Sequence, residues 1–451
     1  MPKYLAGSSR KPLQDVELTL PPGPVGTQHA RLNAKFFHRS PFDFLSQLAD
    51  TYGSVSSFDL GTGPIIFVND ADLARNLFRF HEADLRKPDF LRASNTGYWC
   101  DGLTTLDDPE IWRQRRQILL PLFRAVLREP RLFLTGELTE SITAHWANRE
   151  PIDLAHEVRL LTARIALRTV LDADLEGWGT AQERSALVPY LEGYGEDFTA
   201  TAGGTEGAVQ MTRPRAPRNM DGVLAIIHAR FEEFVDRGDV LSALVRAHHM
   251  APDVLSKQDV VGEIVQMLFA GHLTMPFALT QFWTDIADYD LDWQLVDEAA
   301  PLDDSERFSN AALGTSRTMA ILRESMRMTP PAPILYREVA RGFRMGDYQL
   351  AEGQGVWVCP GLLHRDPRYF SQPSEFQPDR FAAGRIPPLS AKAYMPFGAG
   401  PRVCIAAAQS LSQMVVIIQT IARSFRLEPV SGTPNRFEVR RRPAARNQTS
   451  P

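Results

Sequence analysis

Along most of the chain apolar residues recur three and four positions apart, the spacing of helix faces. Only a few short stretches alternate apolar and polar residues as half-buried strands do. The longest helical pattern runs from about Gln258 to Tyr289, which at ~1.5 Å per residue reaches roughly 45 Å, enough to cross a whole domain. Shorter helices are predicted after a cap at Asn69 or Asp70, over 109–127 behind the Asp108-Pro109 pair, over much of 131–198, and over 220–237. Two more are predicted over 311–328, stopped by Pro330 and Pro331, and from Cys404 to Arg423. Residues 53–68 read as a hairpin, GSVSSFDL and PIIFV joined by a GTG turn; 336–340, 355–359 and the pair 425–430 with 436–440 read as further strands. Residues 1–40 are polar and broken by PPGP, which predicts an extended arm. Residues 86–108 and 199–219 read as long loops, and 441–451 as a flexible tail. The pattern predicts one mainly α unit with a small β region over residues 1–451.

Hydrophobic residues make up 44% of the 451, enough for a large core and a buried ligand pocket. A net charge of -5 from 54 acidic and 49 basic residues does not suggest a nucleic-acid binder. The three cysteines, Cys100, Cys359 and Cys404, are too few and too scattered for a disulfide framework or a zinc site, which fits a reducing cytoplasm. Residues 1–20 hold no apolar stretch of signal-peptide length, and no segment reads as the roughly 20 apolar residues that span a bilayer, so no membrane is expected as a partner.

The chemistry concentrates in Phe397-Gly398-Ala399-Gly400-Pro401-Arg402-Val403-Cys404. A Gly-rich turn delivers a cysteine to a helix start, where unpaired N–H groups and the helix dipole favour an anion; this lowers the thiol pKa. The glycines let the backbone approach a flat ligand, and Arg402 is placed to pair with a carboxylate of that ligand. A cysteine taken alone is more often an inert buried thiol, so the weight rests on the pattern. That pattern resembles the haem-binding signature of the cytochrome P-450 family, F-x-x-G-x-R-x-C-x-G: Phe397, Gly400, Arg402 and Cys404 fall on it, with Ala406 in place of the last Gly. The resemblance implies that Cys404 is the metal ligand of a haem b (iron protoporphyrin IX), with Phe397, Gly398, Arg402 and Ala406 also in contact, and that thiolate donation favours O–O cleavage.

Other segments match the same family. Glu324 and Arg327 share one helix face, and Arg327 stands 77 residues before Cys404; the pair resembles the family's E-x-x-R. Phe376-Gln377-Pro378-Asp379-Arg380-Phe381 resembles its F-x-P-E-R-F, with Asp for Glu. By resemblance Glu324, Arg327 and Arg380 form a buried structural network behind the haem. Trp112 to Arg116 followed by Pro121-Leu122-Phe123 resembles W-x-x-x-R…P-x-F. It implies that Trp112 and Arg116 face a haem propionate, while Arg113 and Arg115 read as a solvated basic face. Arg337 matches another propionate position, and His364-Arg365-Asp366-Pro367 resembles an H-R-D-P segment whose His is structural or a propionate neighbour. The matches run from 112 to 406 in the family's order. They imply its fold: a single triangular, mostly helical domain, with the haem between the long central helix and the Cys-loop helix.

The middle of the long helix, Phe269 to Pro276, resembles the family's A/G-G-x-D/E-T-T/S. Ala270, Gly271 and Thr274 match; Leu273 holds the acidic position, and Met275-Pro276 follow. Activating O2 at a haem consumes protons. Thr274 can donate a hydrogen bond, but leucine cannot relay a proton. Water or substrate supplies the missing group, or His272 does, or the reaction is not simple hydroxylation. The catalytic candidates are therefore Thr274, Gly271 and His272, although polar packing is the commoner role for a histidine at that position.

By resemblance the substrate pocket draws on Trp99, Phe269, Leu273, Ile334 and Leu335, each of which would serve equally as ordinary core. Such a pocket suits a small lipid-like, terpene, polyketide or amino-acid-derived molecule, free or carried by a carrier protein. No residues remain for a flavin domain. Electrons are expected from NAD(P)H indirectly, through a ferredoxin or flavodoxin and its reductase, with Arg113, Arg115 and Arg402 as docking or haem-contact candidates. The expectation is a monooxygenase of bacterial secondary metabolism that hydroxylates or epoxidises its substrate with O2 as co-substrate. Leu273 motivates an alternative: peroxide-driven oxidation, coupling or rearrangement. A non-catalytic helper would be expected to lack the cysteine loop.

Overall fold

The computed structural model describes residues 20–88, 102–126, 129–147, 149–173, 187, 220–292, 295, 314–384, 386–433 and 435–442. The first half contains α1 (Thr27–Arg39), α2 (Pro41–Tyr52), β1 (Val55–Asp59), β2 (Pro64–Val68), α3 (Ala71–Phe80), β3 (Leu85–Arg86), α4 (Pro109–Val126), α5 (Glu129–Thr143), β4 (Pro151–Asp153) and α6 (Leu154–Leu171). Next come α7 (Asp221–Glu232), α8 (Val240–Met250), α9 (Lys257–Asp288) and α10 (Arg317–Met328). The last part holds β5 (Leu335–Val339), β6 (Phe343–Met345), β7 (Tyr348–Leu350), β8 (Gly355–Val358), α11 (Pro360–Leu363), α12 (Pro388–Ala393), α13 (Ala407–Ser424), β9 (Phe425–Pro429) and β10 (Arg436–Arg441).

Side-chain oxygens that accept free N–H groups set where these helices begin. Asp70 caps α3 at the Leu73 amide, Asp108 accepts from Glu110 and Ile111 beside Pro109, and Ser316 caps α10 at Met319. Ser256 and Asp259 form a reciprocal capping box at the start of α9.

The strands fall into three sheets. In the largest, of order β1-β2-β8-β5-β3, the predicted hairpin sets Val55 opposite Val68, and β2 and β8 run parallel. The sheet β4-β10-β9 pairs Val439 with Leu427, as the alternation of the last two strands predicts, and β6 pairs with β7.

The core is organised around α9. Its N-terminal half packs Val260, Ile264 and Leu268 among α6, α7 and α8; its C-terminal half packs Phe282, Trp283 and Ile286 against α10 and α13. By length and composition α9 passes the test for crossing a bilayer, which corrects the expectation that no segment does. In its most apolar stretch 69% is buried within the fold, and a helix surrounded by other helices is apolar all round for that reason.

The structure departs from the sequence reading at two further places. Residues 27–39, expected to be extended, form α1. Its buried face is Ala30, Asn33 and Phe37, spaced at i, i+3 and i+7. Asn33 is the hidden signal: its Nδ2 donates to the carbonyls of Pro24 and Asp59, so a polar side chain does the work of a core position. The last helix starts at Ala407, not Cys404; the cysteine belongs to the preceding turn.

Candidate active site

The cysteine turn is held by its own backbone. Cys404 N–H donates to the Phe397 carbonyl at 3.0 Å, and Val403 N–H to Gly400 at 3.1 Å. Gly400 has φ +74°, and a Cβ there would stand 2.5 Å from the Phe78 carbonyl oxygen, so no other residue fits. The Cys404 sulfur opens onto an internal cavity. Burial pushes its pKa above the ordinary value, while the Ala406 N–H and the nearby Arg116 pull it down. The turn does lower the pKa, as expected, but burial outweighs it and the net shift is upward. A metal cation on the sulfur reverses that balance, because a coordinating thiol is deprotonated outright.

Behind the turn lies a sealed charge network. Arg327 and Glu324 are fully buried and bidentate, with Nε to Oε2 at 2.7 Å and Nη2 to Oε1 at 2.8 Å. Arg327 Nη1 donates to the carbonyls of His364 and Pro373, and Nη2 also to that of Glu375. Arg380 Nε reaches Glu324 Oε1 at 3.3 Å. His364 joins this network to the cysteine turn: Nδ1 faces the Arg327 carbonyl at 3.2 Å, and Nε2 accepts from Met395 N–H at 2.9 Å. Burial, helped by the nearby charges of Arg327 and Arg365, brings its pKa down to about 3, so it is neutral and structural.

The cavity encloses about 420 Å³ between the cysteine turn and α9. The helix presents Glu263, Gln266, Met267, Ala270, Gly271, Thr274, Met275 and Ala278 to it, one continuous stripe at helical spacing. Nothing lies within 4 Å of where a Gly271 Cβ would stand, and Thr274 Oγ1 makes only a long back-bond, 3.3 Å, to the Ala270 carbonyl. Leu335 lines the cavity. Ile334 does not: it packs among Phe37, Phe44 and Trp357, because neighbouring residues on extended backbone point to opposite faces. Phe269 is buried, off the stripe. Trp99, and the side chains of His272 and Leu273, lie outside the described residues.

One edge of the cavity is cationic. Lys87, Arg116, Arg337 and Arg402 all line it. Arg402 is paired with Glu82 at 2.6 Å and bonded to the Leu106 carbonyl at 2.8 Å; its buried Nη2 has no hydrogen-bond partner among the described residues. Arg116 Nη2 donates to the Val403 carbonyl at 2.9 Å. Among the described residues Arg337 bonds only its neighbour's carbonyl, Tyr336, at 2.8 Å, and burial beside Arg402 brings its pKa down to about 10. Lys87 has no partner among the described residues, and burial between Arg337 and Arg402 drives its pKa well below the usual lysine value. Sequence reading missed Lys87 because a lone lysine after a two-residue strand carries no pattern.

Trp112 also lines the cavity, near Arg402 and Arg116, whose guanidinium carbons lie 4.6 and 5.4 Å from its ring centroid; its N–H goes to the Leu103 carbonyl at 3.1 Å. Arg115 is not part of a solvated face: it is buried against Asp259 and Glu263. Of the three docking candidates only Arg113 is exposed, and it pairs with Glu110 at 2.7 Å.

These features suit a flat, dianionic group with a metal at its centre. The slot has a thiol on one face, a helix with an open glycine on the other, and at one edge four cations, of which only Arg402 has an acid partner among the described residues. A family model for cytochrome P450 matches residues 21–179 and 220–446. The chain belongs to the cytochrome P450 family. This P450 is 27% identical over 436 residues to a cyclooctatin synthase of Streptomyces melanosporofaciens, covering 92% of the chain and 90% of the relative. It is 25% identical over 338 residues to a cyclooctat-9-en-7-ol 5-monooxygenase of the same organism, covering 71% and 72%. Its fold is that of retinoic acid-bound cyanobacterial CYP120A1, with TM-score 0.73 and 21% identity over 94% of this chain and 100% of that one. It is an oxidoreductase of the haem-thiolate monooxygenase type, using haem and O2.

Proposed function

We propose that the cavity holds haem b with the Cys404 sulfur on its iron, Lys87, Arg116, Arg337 and Arg402 around its propionates, and Thr274 and Gly271 on its open face. One observation carries this: a single cavity sets an accessible thiol opposite the Ala270–Thr274 stretch of α9 and beside four cations, of which only Arg402 has an acid partner among the described residues. Bound there, haem supplies O2 activation and transfer of one oxygen atom. The chain's own residues set the conditions. Ala406 N–H and Arg116 favour negative charge on the sulfur. The apolar stripe keeps bulk water away. Thr274 holds a hydroxyl proton ready, its long back-bond easily exchanged for a partner in the cavity.

The proposed substrate is a terpene-like hydrocarbon or alcohol, hydroxylated or epoxidised in bacterial secondary metabolism. The apolar lining by Leu119, Phe123, Ile165, Val170, Met267 and Leu335 supports this, as do the names of the two Streptomyces relatives. Electrons are proposed to come from NAD(P)H through a separate ferredoxin or flavodoxin and its reductase. The leucine at position 273 favours a second reading, peroxide-driven or non-hydroxylating oxidation.

The test is spectroscopic first. Reduced protein under carbon monoxide should show the red-shifted Soret band of a thiolate complex, and Cys404→Ser should abolish it; an unchanged spectrum sinks the assignment. Product analysis with surrogate redox partners, against hydrogen peroxide alone, then separates the two readings. Equal product rates with peroxide favour the second.

A further inference from the structure

Residues 103–106 join the two sides of the site, and both ends of the join are hydrogen-bonded. Towards α9, Leu103 N–H donates to Glu263 Oε2 at 3.0 Å and Thr104 N–H to Gln266 Oε1 at 2.9 Å; Gln266 Nε2 donates back to Thr105 Oγ1 at 2.6 Å. Gly102 presses on the same glutamine, where a Cβ would stand 2.5 Å from Cδ. Towards the cationic edge, the Leu103 carbonyl accepts the Trp112 indole N–H at 3.1 Å, and the Leu106 carbonyl accepts Arg402 Nη1 at 2.8 Å. Glu263 and Gln266 are buried, and both line the cavity.

We propose that Glu263 and Gln266 are positioning residues: through 103–106 they set the stance of Trp112 and Arg402 at the cofactor edge, and so report there on what fills the cavity beside α9. The inference rests on the haem site proposed above. Neither residue meets the reacting atoms. The glutamine amide works by orientation, since its oxygen and nitrogen each hold a different residue of the segment. The carboxyl works by charge. The charged groups acting on it are Arg115 from α4, with Nη1 at 3.5 Å, and Asp259 one turn back on α9. Burial lifts the Glu263 pKa to about 7 against the opposing pull of Leu103 N–H and Arg115. Above that pH the ionised carboxylate grips Leu103 N–H and Arg115 through charge-assisted bonds; below it the grip weakens.

The experiment uses the haem-loaded protein. Glu263→Gln keeps an acceptor for Leu103 N–H and removes the charge. Wild type should show a step near pH 7 in reduction potential and in the ferric spectrum, and the variant should be flat there while keeping its thiolate carbon-monoxide band. Gln266→Leu should hasten haem transfer to apomyoglobin about tenfold, the scale of one or two net hydrogen bonds. Thr105→Val should do the same in part and Thr105→Ser should not, a comparison that stands if Gln266→Leu fails to fold. Superimposable pH profiles, or equal haem loss from Thr105→Val and Thr105→Ser, overturn the proposal. Wild-type protein that takes up no haem instead overturns the site reading beneath it, and is seen before any variant is made.

Discussion

Two clusters of buried charge flank the slot between α9 and the cysteine turn, and they are built in opposite ways. Around Glu324 the cluster is closed. Arg327 and Arg380 compensate the carboxylate, and the remaining guanidinium donors of Arg327 end on backbone carbonyls. At the other edge the cluster is open. Of the four cations Lys87, Arg116, Arg337 and Arg402, only Arg402 is paired with a carboxylate, that of Glu82, among the described residues. Burying a charge without compensation is costly, so an open cluster marks a place where anions arrive from outside, and a closed one marks scaffold.

The comparison breaks most visibly at Arg327. Arg327→Leu strands a buried carboxylate, at a cost of about 3–5 kcal/mol, enough to abolish folded protein; soluble yield and urea unfolding measure it. Near-wild-type stability would mean that the network is not closed by Arg327. Lys87→Met should act with the opposite sign on the haem-free chain. It removes a cation that has no partner among the described residues, so haem-free stability holds or rises, while haem transfer to apomyoglobin speeds up about tenfold through one lost charge-assisted contact. Destabilisation of both forms would erase the difference between the clusters.

His364 tests the closed side by pH. Its folded pKa, about 3, lies below the ordinary value near 6.5, so its contribution is full above about pH 6.5 and is lost as pH falls towards 3. His364→Gln should flatten that limb of the urea-midpoint profile relative to wild type; parallel profiles would remove the histidine from the account. The smallest effect belongs to the exposed pair outside both clusters. Arg113→Ala, which loses only Glu110, should change the unfolding free energy by less than about 0.5 kcal/mol.

Much of this was legible in the chain. The glycines of the cysteine turn, the i, i+3 pair Glu324 and Arg327, and the long α9 pattern are local, and local patterns survive folding. What was not legible depends on distant partners. Arg115 and Arg116 are neighbours of one type, yet one is buried against Asp259 and the other lines the cavity. Arg402 sits in a recognisable turn, but Glu82, 320 positions away, takes its Nε. The helix over 27–39 was hidden because Asn33 reads as polar, while two distant carbonyls satisfy its amide.

By itself the order of residues determined the family, the cysteine at its centre and the helix that crosses the core, because each is written in short-range spacing that only one backbone path satisfies. Tertiary structure alone decided which cations gather at the slot, which glutamine and glutamate hold residues 103–106, and which way the thiol pKa moves. Those depend on burial and on charges brought together from far along the chain, and neither quantity exists until the chain has folded.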